Sequence, residues 1–404
     1  MVTLRPFFRL RNNRLMIANG LVLSFVLSWG ICSQGQGSDE SEAAFEAEGT
    51  ADDPFYRRRL PAKQRYLEKY GGNQASEAAV AAALNWIADH QLPDGNWSFD
   101  HRTGPVVNDR PRTSDTPGTL SAAHRAATAM ALLPFLGSGH THKQGDFQAT
   151  VQAGLDFLVR EIGPDGGLNE SGGTMYSHGL ATIALCEAYG MTRDQTLQAP
   201  AQDALNFTVQ AQDPTGGGWR YVPRQPGDTS VSGWQFQSLS QGRVSGLQID
   251  PETMVGVSRF LDSVQSEDGA FYGYIAPGRR PASTAIGLLC RLHLGWDREH
   301  EALKQGVEWI SDQGPSTGKA ANMYYNYYAT QLVRHYGGRL WQQWNQEMRD
   351  FLIEAQDKDG PADGSWAFAG LFGGPDRGGR LYHTSLATMV LQVYYSNPTL
   401  NRQD

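Results

Sequence analysis

The apolar positions of this chain recur at helical spacing and then stop, again and again. In "AVAAALNWIADHQLPDGNW" (residues 79–97) apolar side chains fall at i, i+3, i+4 and i+7, and the run ends in a Pro-Asp-Gly turn before a tryptophan. That spacing is one face of a helix, and the turn residues end it. The order returns in "VQAGLDFLVREIGPDGGL" (151–168), "AQDALNFTVQAQDPTGGGW" (201–219), "TMVGVSRFLDSVQSEDGAF" (253–271), "EALKQGVEWISDQGPSTG" (301–318) and "WNQEMRDFLIEAQDKDGPADGSW" (344–366). An aromatic residue holds the same place in each: Trp86, Phe157, Phe207, Phe260, Trp309 and Phe351. Such self-similarity marks a repeat protein made of amphipathic helices.

Between the copies lie segments that are more apolar and richer in small residues, at 120–136, 175–189, 229–240, 282–294, 323–336 and 381–395. A helix apolar on every side is enclosed, whereas an amphipathic one faces water. The alternation therefore predicts six outer and six inner helices. No stretch alternates like a strand, and the last copy is as apolar as the middle ones, although an open array needs polar end repeats. The expected fold is all-α, a closed (α/α)6 double ring spanning residues 55–400.

A finer pattern sits at the end of the outer helices. An aromatic-aliphatic pair, three residues, Gln, three residues, Gly, one residue and an aromatic is met in full by Trp86-Ile87, Gln91, Gly95 and Trp97. It is met again by Phe260-Leu261, Gln265, Gly269 and Phe271, and with insertions by Phe207, Gln212 and Trp219 and by Phe351-Leu352, Gln356, Gly364 and Trp366. This resembles the QW motif of squalene-hopene and oxidosqualene cyclases, and more broadly the α/α toroid of the terpenoid cyclase and protein prenyltransferase superfamily. The resemblance covers residues 75–397. It implies that the Gln ties one outer helix to the next, and it speaks for fold while saying little about activity.

The amino terminus has a different character. Arg5, Arg9, Arg11 and Arg14 precede the apolar run "LMIANGLVLSFVLSWGI" (15–31), so residues 1–35 read as an export signal, cut after Gly35 with Ser33 two residues before, or kept as an anchor. Ile31 stands where lipidation at Cys32 needs a small residue. Residues 36–54, rich in Ser, Gly, Glu and Ala, are expected to be a disordered linker. The protein is then exported, to the periplasm or beyond. Membrane contact is expected only through an uncleaved N-terminal segment.

Composition narrows the partners. The 404 residues carry a formal net charge of -8 with 19% charged side chains, and the sole basic cluster outside the leader is 57–59, which leaves no footprint for nucleic acid. Cys186 and Cys290 lie in apolar helical runs, outside any CxxC or Cys/His cluster, so no metal and no cofactor is expected.

Candidate chemistry lies on the inner segments. Aligned on their Ala-Thr pairs, "MYSHGLAT" (175–182), "MYYNYYAT" (323–330), "LYHTSLAT" (381–388) and more loosely "SAAHRAAT" (121–128) bring His124, His178, Asn326 and Thr384 to one level. Tyr176, Tyr324 and Tyr382 stand two positions earlier. A polar ring above an aromatic wall of Trp234, Phe236, Tyr325, Tyr327 and Tyr328 suits a ligand cavity. The plainer alternative is that the ring caps helices and satisfies loop backbone.

The resemblance supplies sharper tests. The hopene cyclases protonate an alkene from a DxDD run, and the corresponding stretch, "QPGDTSVSGW" (225–234), keeps only Asp228, with Gly227 at the donor's place. A lone exposed Asp is ionised near neutral pH and reads as a helix cap. His383 in "LYHTSLA" matches the zinc-holding His of the prenyltransferases, but no Asp-x-Cys pair accompanies it, and the thioester run CGEQ of complement-like toroids is absent. Asp228, His178 and His383 remain the catalytic candidates.

Of three aromatic loops, 216–223, 269–281 and 364–383, the last two carry Arg279, Arg280, Asp376, Arg377 and Arg380, and suit either an anion or nothing but solvent. The long connection 98–119 has the length of a lid. The reading is a binding toroid whose cavity takes an apolar or aromatic-contacting ligand, or a protein or polymer segment. The alternative is a diverged enzyme acting on an isoprenoid or on an extracellular polysaccharide.

Overall fold

The computed structural model describes residues 53–105, 111–369 and 377–396. The leader, Cys32 and Asp376 lie outside them. The helices are α1 (Ala62–Lys69), α2 (Gln74–Asp89), α3 (His124–Gly137), α4 (Gln148–Arg160), α5 (Thr174–Thr192), α6 (Gln195–Gln210) and α7 (Thr229–Val244). They continue with α8 (Pro251–Val264), α9 (Pro281–His293), α10 (Glu301–Gln313), α11 (Met323–Tyr336), α12 (Gly338–Ala355), α13 (Gly379–Leu391) and α14 (Val393–Ser396).

The odd-numbered helices from α3 to α13 form the inner ring. Each packs on the next, and α13 packs back on α3, so the ring closes. The even-numbered helices from α2 to α12 surround it, α2 against α13, α4 against α3, and so on around. At the carboxyl ends of the inner helices the axis is covered by the turn Tyr56–Arg58, α1 and α14, which pack together.

The QW residues show why the ring closes. Gln91 Nε2 donates to the carbonyls of Gly95 (2.8 Å) and Thr150 (2.9 Å), the second belonging to the next outer helix. Gln212 does the same with Gly217 and Thr253. Gln356 bonds Gly364 and then Ala79 of α2, joining the last outer helix to the first. Beneath each bridge an indole N–H returns to its own helix: Trp97 to Ile87, Trp219 to Thr208 and Trp366 to Leu352. The glycine of each turn is obligatory. Gly364 has φ +88° and a Cβ there would lie 2.3 Å from the Ala82 carbonyl of α2. Gln265 departs from the pattern, because its Oε1 accepts from Arg291 (3.1 Å) and its turn is a small hairpin, β1 (Gln265–Ser266) against β2 (Phe271–Tyr272).

Candidate functional site

The inner helices present one stripe each to the axis, at helical spacing. On α5 the stripe is Tyr176, Leu180, Ile183 and Glu187, and on α7 it is Ser230, Trp234, Gln237 and Gln241. The first two of each line a cavity of about 830 Å³ at the amino ends of the inner ring. Its wall combines Phe99, Leu120, Met130 and Leu180 with Tyr176, Trp234, Tyr324 and Tyr382. Tyr324 donates to the Ser230 carbonyl (3.2 Å), and burial pushes the Tyr176 and Tyr324 phenols up, so both stay protonated. The rim is Tyr221, Tyr274, Asn322, Arg280 and Arg377. Those arginines are the only charged side chains among the described lining residues.

Asp228 stands behind this wall and is fully buried, which corrects the expectation of an exposed carboxylate. Its Oδ1 caps α7 by accepting from the Val231 N–H (2.9 Å). Its Oδ2 accepts no well-aligned hydrogen bond, and the Arg220 guanidinium lies 3.5 Å away. The Tyr274 hydroxyl lies beside the carboxyl and is itself bonded to the Tyr221 hydroxyl (2.8 Å). Burial raises the Asp228 pKa, against the opposing pull of the Val231 N–H, Tyr274 and Arg220.

Comparison with known proteins follows this geometry. No sequence-family model matches the chain, and no curated protein does. Among solved structures, the type II terpene cyclase MstE from Scytonema matches with a TM-score of 0.52 at 14% identity, covering 80% of this chain and 98% of the cyclase. The α-1,6-mannanase GH76A of a Salegentibacter species gives 0.54 at 11% identity, over 80% of this chain and 99% of the mannanase. An α-amylase from Clostridium perfringens gives 0.52 at 11%, over 79% and 98%. Each alignment spans about four-fifths of this chain and nearly all of the other.

The chain is an α/α toroid. Likeness at this level of identity carries the fold and leaves activity to the site.

Within the toroid, the polar ring expected at the cavity mouth faces the other way. His178 is fully buried; its Nδ1 accepts from the Leu168 N–H (3.1 Å) and its Nε2 bonds Thr208 (2.8 Å). Burial holds its pKa down at about 3, so the ring is neutral. Asn326 clamps both the N–H and the carbonyl of Ser316 (2.8 Å each), and Thr384 accepts from the Trp366 N–H (3.1 Å). His383 accepts from the Phe368 N–H (3.2 Å), and His124 bonds the Trp97 carbonyl (3.2 Å) beside a separate surface notch. All five fasten a loop to an inner helix. The reason is rotation: a residue two positions on from an axis-facing tyrosine is turned by about 200° and points at the outer ring.

The aromatic wall divides likewise. Tyr176, Trp234, Tyr324 and Tyr382 line the cavity. Phe236 turns to His293, and Tyr325 donates to the Gly314 carbonyl (3.1 Å) and packs edge-on to Trp344. Tyr328 is buried behind Trp234 and Tyr324. Tyr327 stacks on Trp234 with centroids 5.3 Å apart but faces a second, smaller chamber of about 90 Å³ at the other end of the axis, where Glu187, Gln237 and Gln241 join the lining. The lining residues absent from the sequence reading, Met130 and Leu180 among them, follow from Tyr176 by stepping four positions or one helix.

The arginine loops resolve too. Arg380 is buried between Asp115 and Asp357, and Arg279 lies over the Phe271 and Trp309 rings. Arg280 and Arg377 reach the cavity. In the 98–119 connection, Phe99 is a piece of the cavity wall, and Thr116 accepts from the Arg380 N–H (3.0 Å). Cys186 and Cys290 are free, buried thiols, and no metal-holding cluster of His, Cys, Asp and Glu occurs among the described residues.

Proposed function

We propose that the toroid binds an apolar or aromatic-contacting small molecule in its upper cavity. The cavity carries the reading: about 830 Å³ lies in the range of small-molecule sites, and its wall is aliphatic and aromatic with polar groups gathered at the rim. The likeness to a cyclase seen with geranylgeranyl dihydroxybenzoate bound supports an isoprenoid body for the ligand. We propose further that the protein is exported, on the strength of its amino-terminal run.

Native mass spectrometry of the full chain from its host's envelope, followed by organic extraction, tests the reading. A co-purifying lipid, or saturable binding of geranylgeraniol that Trp234→Ala weakens, is the expected result. An empty protein that takes up no such probe overturns it and shifts weight to a protein or polymer segment.

A second reading, a diverged isoprenoid enzyme, rests on Asp228 alone. A buried carboxyl with a raised pKa behind an apolar cavity can hold a proton. Conversion of geranylgeranyl dihydroxybenzoate, lost in Asp228→Asn at unchanged melting temperature, would establish it; no product would dismiss it. The polysaccharide alternative needs two carboxylates flanking the substrate, and the described lining holds none.

A further inference from the structure

Among the described residues five large apolar side chains are exposed, and three of them, Tyr221 (39%), Val222 (56%) and Ile275 (57%), stand on two loops at the cavity mouth. Tyr221, Val222 and Pro223 form one tip, and Ile275, Ala276 and Pro277 the other, all of them exposed. The loops are joined by the Tyr221–Tyr274 hydroxyl bond (2.8 Å). Each is also pinned to an inner helix, the Tyr221 carbonyl accepting from the Met175 N–H and the Tyr274 carbonyl from the Thr229 N–H. The tips are thus held out by bonded backbone.

The charge beside them is mostly positive. The stretches "WRYVPRQPGD" (219–228) and "FYGYIAPGRRP" (271–281) hold Arg220, Arg224, Arg279 and Arg280; Arg220 faces the buried Asp228 and Arg279 lies 4.0 Å from Glu267, so the excess positive charge rests on Arg224 and Arg280. This occurs in a chain of net charge -8. Apolar tips flanked by Arg224 and Arg280 match the interface of an anionic bilayer, where apolar side chains enter the acyl boundary and cations meet the headgroups. No described helix is long and apolar enough to cross a membrane, so contact at this face would be peripheral.

We propose that these two loops dock the toroid on an anionic lipid surface, with the cavity mouth facing the bilayer. This extends the sequence expectation, in which only the amino-terminal run touches a membrane. It rests in part on the cavity-binding reading, because a ligand apolar enough to fill that cavity partitions into lipid and would enter from it.

The test uses the full chain with Cys32→Ser, which leaves Cys186 and Cys290 buried and unreactive. A nitroxide is placed at Ile275→Cys and, as a control on the outer helix α8, at Val255→Cys. On phosphatidylglycerol vesicles the label at 275 should gain oxygen accessibility and lose accessibility to a polar nickel chelate, while the label at 255 stays aqueous. The shift should fall severalfold in Arg224→Gln/Arg280→Gln, in high salt, and on phosphatidylcholine vesicles. A label at 275 as aqueous as that at 255 overturns the proposal, and one immobilised only by added envelope proteins assigns the face to a protein partner instead. Geranylgeraniol binding measured without vesicles reports separately on the cavity, so either idea can fail alone.

Discussion

The two ends of the inner ring are made by the same six helices and differ in how far they are filled. At the amino ends the axis is hollow, about 830 Å³ walled by Tyr176, Leu180, Trp234 and Tyr324. At the carboxyl ends only about 90 Å³ remains, among Arg58, Glu187, Gln237, Gln241, Gln331, His293, His335 and Gln392. Two of the polar groups there tie the covering chain down: Arg58 pairs with Glu187 and donates to the carbonyls of Leu136 and Ser396. Gln392 Nε2 donates to the Pro134 carbonyl and to Ser138. A toroid axis is therefore open or shut according to which side chains its stripes carry, and the stacked Trp234 and Tyr327 rings mark the boundary.

Breaking the closed end should have the largest effect. Glu187→Ala leaves Arg58 buried (5% exposed) without its carboxylate, and removing one partner of a buried pair costs about 3–5 kcal/mol. Urea unfolding should show that loss while the upper cavity still binds its probe. A loss below about 1 kcal/mol would mean that packing alone holds this end.

The seam comes next. Gln356→Leu strips the donor from the carbonyls of Ala79 and Gly364, a cost of about 2 kcal/mol, and Gln91→Leu inside the ring should cost about the same. Equal losses are what a closed ring requires. A harmless Gln356→Leu beside a costly Gln91→Leu would mean that the seam opens in solution.

How much of this was legible in sequence differs between the rings. The outer helices announce themselves, because water on one side forces a period and the turn needs Gly95, Gly217 and Gly364 at a positive φ. The segment 323–336 coincides with α11, whereas 120–136 begins four residues before α3, at Leu120, whose N–H bonds Arg377. The site was harder to read, since an inner helix is apolar all round and its pattern does not say which side faces the axis. Aligning the Ala-Thr pairs found Tyr176, Tyr324 and Tyr382, yet the same alignment favoured His178 and Asn326, which the helical turn points away. The burial of Asp228 depends on Tyr274 and Arg220 from neighbouring loops, and no local pattern carries that.

Acid should probe both ends at once. Burial holds His178, behind the upper wall, at about 3 and His293, beside the lower chamber, at about 4, against an ordinary value of 6.5. Both stay neutral when folded and take up a proton when unfolded below pH 6.5. Their contribution is therefore complete above 6.5 and is lost as pH falls toward 3 to 4, roughly 2 kcal/mol for each between pH 6.5 and 5. Urea midpoints measured from pH 7.5 to 5 should fall, and His178→Gln, though weaker at neutral pH, should show a shallower fall. An unchanged slope would place the acid sensitivity elsewhere.

The smallest change gives the sharpest contrast, because Leu180 and Ile183 lie one turn apart on the same stripe of α5. Leu180 borders the large cavity and Ile183 the small chamber. Leu180→Phe has empty space to enter, so stability should move by less than about 0.5 kcal/mol while geranylgeraniol binding is lost. Ile183→Phe has only the small chamber of about 90 Å³ to enter and should cost more, about 1 kcal/mol, with binding retained. Thermal melts and probe titrations on the two variants separate the hollow end from the filled one; equal destabilisation by both would mean that the upper cavity is closed in solution and that the proposed ligand has no room.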